Sequence, residues 1–152
     1  MGKTCFFIGH REAGEEIFPA LVQSVERHIM EYGVTDFLMG ERGNFDHLAA
    51  RAVRLAKQTH PEIRLVLLLA YHPAERPVTL PRGFDTSYYP SGMETVPRRV
   101  AIVQANRRAV DWADFLIAYA WHPASNARNL VEYAQSRIPV ENLAESMAEI
   151  DI

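Results

Sequence analysis

The chain has one cysteine, which excludes an internal disulfide. Cys5 lies inside an apolar run, where a lone thiol is most simply a small core residue. No apolar run approaches the ~18 residues that a membrane-spanning helix needs. Positive charge is not in excess: the formal charge is −3, and no basic helix or arm is evident. That argues against a nucleic-acid duplex as partner. No Pro/Gly-rich stretch reads as a domain linker, and no internal repeat or low-complexity segment stands out. His10, His72 and His122 match no short zinc spacing, so neither a metal nor a cofactor is expected. Met1 to Thr4 lead straight into a strand pattern, which leaves no room for a signal peptide and points to a cytoplasmic protein.

What is present is enough for a real core. The chain has 152 residues, 48% of them hydrophobic and 23% charged, so one domain spanning residues 1–152 is expected. Thr4 to Ile8 is a continuous apolar run that stops at Gly9-His10-Arg11, as a buried first strand would. Phe18, Leu21, Val22, Val25 and Ile29 recur at helical spacing. Pro19 restricts that helix to a start near Phe18, and Gly33 ends it. Val34 to Met39 is the second strand. Asn44 reads as the cap of a second helix whose inner stripe is Phe45, Leu48, Ala49, Ala52, Val53 and Ala56.

Ile63 to Ala70 is the most apolar run and reads as a strand buried on both faces. Tyr71 to Pro97 reads as a loop carrying Pro73, Pro77, Pro81 and Pro90, with a short strand hidden in Asp85 to Tyr89. Arg98 to Asp111 reads as a helix with Val100, Val103, Ala109 and Val110 among its apolar residues. Asp114 to Tyr119 is a strand, and Ser125 or Asn126 caps the helix that follows. A short strand from Ile138 and a helix over residues 143–150 complete the pattern. Strands alternating with helices of crossover length predict an α/β fold: a doubly wound, mostly parallel sheet with helices on both faces. Ligands of such sheets sit beyond the C-terminal strand ends, where strand order reverses.

Those ends deliver polar groups. The first strand brings Gly9, His10 and Arg11; the second brings Gly40-Glu41-Arg42-Gly43-Asn44-Phe45-Asp46. A Gly-rich turn that opens a helix suits a phosphate or other anion, because the first helical N–H groups lack partners. Arg11 and Arg42 each offer a fork of donors to it. Asp46 either binds ribose hydroxyls or serves its own helix end by accepting N–H groups. Tyr71 and Trp121 offer faces on which a base can stack. Glu94 is either a general acid or base, or a cap and ion-pair partner beside Arg98. Asn106, about two turns after Arg99, shares a helix face with it.

Cys5 to Arg11, the Gly40 to Asp46 turn with Leu48-Ala49-Ala50, and Asn106-Arg107 with Val110-Asp111 and Ala113-Asp114 together resemble the YpsA-like branch of the SLOG superfamily. That superfamily includes DNA-processing DprA-type proteins and cytokinin-activating LOG proteins. The resemblance covers nearly the whole chain. It implies a Rossmann-like sheet that binds a nucleotide or nucleotide-derived ligand. The chain departs from the pattern in several places: Asn44-Phe45 lengthens the path from Gly43 to Asp46, and the Gly-Gly-Thr-like helix start of relatives is absent near Ser125-Asn126-Ala127. Glu41 stands where relatives tend to have a second adjacent glycine, and the Pro-Gly-Gly-x-Gly-Thr segment of the LOG enzymes is missing, so phosphoribohydrolase activity does not carry over.

The expected function is therefore binding of a small anionic ligand, a nucleotide or nucleotide sugar. Gly9, His10, Arg11, Gly40, Arg42, Gly43, Asn44, Asp46, Tyr71, Glu94, Arg99 and Asn106 are the candidate residues. A hydrolase acting on such a ligand and a non-catalytic interaction module are the alternatives. The apolar fraction leaves room for a homo-oligomer.

Overall fold

The structure, a computed structural model, describes residues 2–150, with side chains described through residue 146. Residues 1, 151 and 152 of the expected domain lie outside that range. Six strands form one sheet: β1 (Lys3–Gly9), β2 (Val34–Met39), β3 (Arg64–Leu68), β4 (Thr86–Tyr88), β5 (Phe115–Tyr119) and β6 (Val140–Asn142). Their order is β4-β3-β2-β1-β5-β6, and every pairing is parallel. The helices are α1 (Phe18–Tyr32), α2 (Asn44–Lys57), α3 (Ala101–Trp112), α4 (Asn126–Gln135) and α5 (Leu143–Ile150). None is long and apolar enough to cross a membrane.

Strand pleating builds two cores. Cys5, Phe7, Phe37, Met39 and Leu65 pack with α1 and α2 on one face. Their alternating neighbours Phe6, Leu38, Val66 and Leu116 pack with α3 and α4 on the other. The chain winds outward from β1 to β4, crosses to the second face through α3, and re-enters the sheet at β5. Strand order thus reverses at the β1–β5 seam, beside the middle of the sheet.

Local chemistry sets the boundaries. Pro19 occupies the first turn of α1, where its missing N–H costs no bond, and Gly33 closes that helix in the left-handed region at φ 71°. Two expectations shift. Gly43, not Asn44, is the cap of α2. The helix expected from Arg98 starts with a 3-10 turn at Arg98–Val100, and its buried face is Ala101, Ala105, Ala109 and Val110, with Val103 turned outward.

Candidate functional site

A cavity of about 270 Å³ opens at the C-terminal strand ends, over the β1–β5 seam. The exits of β1 and β2 supply Gly9, His10, Arg11, Gly40, Arg42 and Gly43, and α2 adds Asp46. Asn106 comes from the inner side of α3, and Ser125 to Ala127 form the start of α4. The location is the one that strand reversal dictates for a ligand.

Three glycines shape this corner for different reasons. A methyl on Gly9 would lie 2.3 Å from the Phe45 ring, which wedges the start of α2 against the end of β1. A methyl on Gly43 would lie 2.6 Å from the Arg11 Cα, so the two loops touch backbone to backbone there. Gly40 is different. A methyl there would meet only ordinary contacts, 3.5 Å from Asp46 Oδ2 and 3.6 Å from the Arg42 stem. Packing explains Gly9 and Gly43; it does not explain Gly40.

The loops are stitched as well as packed. Asn44 N–H donates to the Arg11 carbonyl at 2.8 Å, and the Asn44 side-chain amide donates to the Ala13 carbonyl. Arg11 is thereby fixed beside the start of α2. No side chain caps that start, and no acceptor in the described residues takes the Phe45 or Asp46 amide. The start of α4 borders the same cavity. Its cap, Ser125, has its hydroxyl engaged twice, accepting from Arg128 N–H and donating to the His122 carbonyl. Two helix N-termini therefore face one cavity, each with a partial positive charge.

The arginines sharpen this field. Arg27, Arg51, Arg64, Arg98, Arg128 and Arg137 all pair with carboxylates. Among the described residues, the Arg11 and Arg42 guanidiniums have no such partner, and both line the cavity. Guanidiniums outside any direct ion pair at a concave site, here with Glu12 and Asp46 in the same lining, keep donors free for an anionic occupant.

Asp46 is the one carboxyl buried there, at 8% exposure. Its Oδ2 accepts the Arg42 N–H at 3.0 Å, so one oxygen serves the helix end. Oδ1 has no hydrogen-bond partner. No described side-chain N or O atom is both fully buried and unpartnered, so Oδ1 keeps some solvent access, and Asp46 lines both this cavity and a neighbouring one of about 400 Å³. Burial dominates the acidity of the group. It raises the Asp46 pKa from 3.8 to about 7, against the lowering effects of the Arg42 N–H and of the Arg42 and Arg11 charges; Glu41 adds to the rise.

His10 holds the seam together. Its Nε2 accepts two backbone donors, Trp121 N–H at 2.9 Å and His122 N–H at 3.2 Å. A nitrogen accepting two N–H groups carries no proton, so the ring is neutral with its hydrogen on Nδ1. Burial lowers the His10 pKa in the same sense. Nδ1 has no protein partner and keeps some solvent access, and His10 lines the cavity, so the Nδ1–H is an unspent donor there. Replacing His10 with phenylalanine keeps a ring and orphans both amides. The expected loss, read by urea unfolding, is about 1–3 kcal/mol.

His122 belongs to a short repeat that the sequence reading passed over. Ala70-Tyr71-His72-Pro73-Ala74 leaves β3, and Ala120-Trp121-His122-Pro123-Ala124 leaves β5. Each loop is closed alike, with the histidine Nδ1 accepting the N–H of the alanine two residues on, at 3.0 and 3.4 Å. Sequence alone contained this signal. The three histidines are thus engaged separately, and among the described residues no three His, Cys, Asp or Glu side chains gather as metal ligands would.

Four candidate residues lie away from the cavity. Asn44 is spent on stitching the loops. Tyr71 has the Arg76 guanidinium at 4.3 Å and that of Arg98 at 5.3 Å from its ring centre, which leaves little face for a base. Glu94 lines a separate space of about 130 Å³ with His72 and Tyr89, and Arg99 is exposed on the 3-10 turn before α3. Trp121 stays 56% exposed, edge-on to His10 at 5.1 Å between ring centres. No protein-family model and no curated protein matches the chain.

Proposed function

We propose that this protein is a cytoplasmic member of the YpsA-like branch of the SLOG superfamily and binds a nucleotide or nucleotide-derived ligand at the β1–β5 seam. The observation that carries the reading is the convergence of two guanidiniums outside any ion pair, Arg11 and Arg42, with the starts of α2 and α4 on one cavity. In this account a phosphoryl group lies among them. Asp46 Oδ1 accepts a ribose hydroxyl, His10 Nδ1–H donates to a neutral acceptor, and Trp121 offers its indole face to the base. The resemblance of Cys5 to Arg11 and of the Gly40 to Asp46 turn to that branch supports the same ligand class.

A hydrolase reading has one observation in its favour: a carboxyl whose pKa of about 7 suits proton transfer near neutrality. Product analysis of any ligand that binds tests it.

The binding reading is tested by a thermal-shift screen with AMP, ADP and ADP-ribose on the parent and on Arg11→Ala. Arg11 is exposed, so its truncation leaves the unliganded melt nearly unchanged. The expected outcome is a ligand-dependent rise in the parent that shrinks in the variant, reflecting about 10-fold or greater loss of affinity. No rise with any nucleotide sinks the reading.

A further inference from the structure

The cavity at the seam does not end at Arg42. A second cavity of about 230 Å³ lies beyond it and shares Arg42, Leu68 and Ala70 with the first. Its far wall is the strap that follows the first Ala-Tyr-His-Pro-Ala loop, from Arg76 to Thr79. Arg76 is held rather than loose, because its guanidinium lies on the Tyr71 ring at 4.3 Å. Tyr71 is itself steadied by Arg98, which is bonded to Glu75 at 2.8 Å. Stacking uses the flat face of a guanidinium and leaves its edge donors available. Among the described residues Arg76 has no carboxylate partner and donates no side-chain hydrogen bond, so those donors are unspent.

Arg11, Arg42 and Arg76 thus follow one another along two adjoining cavities, with Arg42 lining both. The second chamber holds two guanidiniums. Glu41 is the carboxylate in its lining, and it pairs with neither. Two like charges lining one cavity favour an anion between them. The first chamber sets Arg11 and Arg42 beside the Glu12 and Asp46 carboxyls, and in the binding reading one phosphoryl group lies between the two arginines. The second chamber offers a further pair of arginines at a separate place.

We infer that the site is built for a ligand with two phosphoryl groups, the first between Arg11 and Arg42 and the second between Arg42 and Arg76. This rests on the binding reading above and extends it. The seam cavity holds the nucleoside end, and Arg76 selects ligands carrying the second group over mononucleotides. Tyr71, lost as a platform for a base, becomes the post that orients Arg76. The second phosphoryl group has two chemical sources: a diphosphate chain, or a second phosphate elsewhere on the ribose.

Calorimetric titration of the full chain with AMP, ADP and adenosine 3′,5′-bisphosphate tests this on the parent, Arg76→Ala and Arg76→Lys. The parent is expected to bind ADP or the bisphosphate about 10-fold or more tightly than AMP. Whichever probe gains identifies the source. Arg76→Ala should erase the gain and leave AMP binding unchanged, while Arg76→Lys, which keeps the charge without the fork, should recover part of it. Arg76 is exposed, and an unchanged melt of the unliganded variant confirms that the fold is retained. If AMP binds and the preference is missing, or if Arg76→Ala weakens all probes alike, the inference fails and the binding reading stands. If the parent binds none of the three, both fall.

Discussion

Asp46→Asn should make the protein more stable above neutral pH while weakening its hold on ligand. The stability half follows from the environment of the carboxyl. Its folded pKa is about 7 against an ordinary 3.8, so the folded state holds this proton more tightly than the unfolded state does. The sign is the reverse of the usual carboxylate case. Asp46 costs nothing below the unfolded value, where both states are protonated. Its cost grows as pH rises between the two values and levels off above about 7. At ~1.4 kcal/mol per pH unit, that span sets an upper bound of roughly 4 kcal/mol.

Asparagine is isosteric, keeps an acceptor for the Arg42 N–H, and never ionises. The variant should therefore gain about 1–4 kcal/mol over the parent at pH 8 and nothing near pH 4. Melting curves of both proteins across that range read the difference. The difference matters more than either profile alone, because His10 and His28 slope the other way. Burial lowers both of their pKa values, so the stability they contribute falls as pH drops through the ordinary histidine range. Subtracting variant from parent cancels these. The functional half is a loss of about 10- to 100-fold in nucleotide affinity, as expected when a charged acceptor is removed. Equal stability at pH 8 would show that the carboxyl is not burdened by burial. Unchanged affinity would remove Asp46 from the binding site.

The second large effect separates two glycines three residues apart. Gly43→Ala places a methyl 2.6 Å from the Arg11 Cα, a backbone atom that cannot swing away. The loops must part, and the bond from Asn44 N–H to the Arg11 carbonyl goes with them. The expected cost is about 1–3 kcal/mol, or several degrees of melting temperature for a chain of this size. Gly40→Ala meets nothing closer than 3.5 Å, so its stability should stay within about 0.5 kcal/mol of the parent. Its methyl nevertheless lies beside Asp46 Oδ2 at the cavity, so nucleotide affinity should drop while the fold does not. A Gly40→Ala protein that binds as the parent does would mean that the space over this glycine is not used by ligand.

Much of this architecture was legible in the sequence because it rests on local chemistry. Pro19 and Gly33 bracket α1, and the strand patterns at 34–39 and 114–119 place β2 and β5 almost residue for residue. The hidden strand in the Tyr71–Pro97 loop was legible too, as Thr86–Tyr88. What failed depended on contacts made in space. Asn44 is a good cap by type, yet it is drawn into the helix by the carbonyls of Arg11 and Ala13, across a gap that no spacing rule reveals. The strand ends did place Gly9 to Arg11 and Gly40 to Asp46 near one another. They could not show that the partners of His10 are amides more than a hundred residues away, or that Tyr71 is taken by arginines. Glu94 reads equally as an acid or base and as a cap or partner of Arg98, and its separation from the seam depends on how the long loop folds back.

The central claim is that the seam cavity holds a nucleotide through Arg11 and Arg42, and equilibrium titration of ADP into the parent and into Arg11→Ala/Arg42→Ala tests it most directly. The account predicts saturable one-to-one binding by the parent, weakening as salt is added. It predicts a loss of about 100-fold or more in the double variant, titrated at a temperature where its unliganded melt shows it folded. Equal affinity in the two proteins, or no binding by the parent, would contradict it.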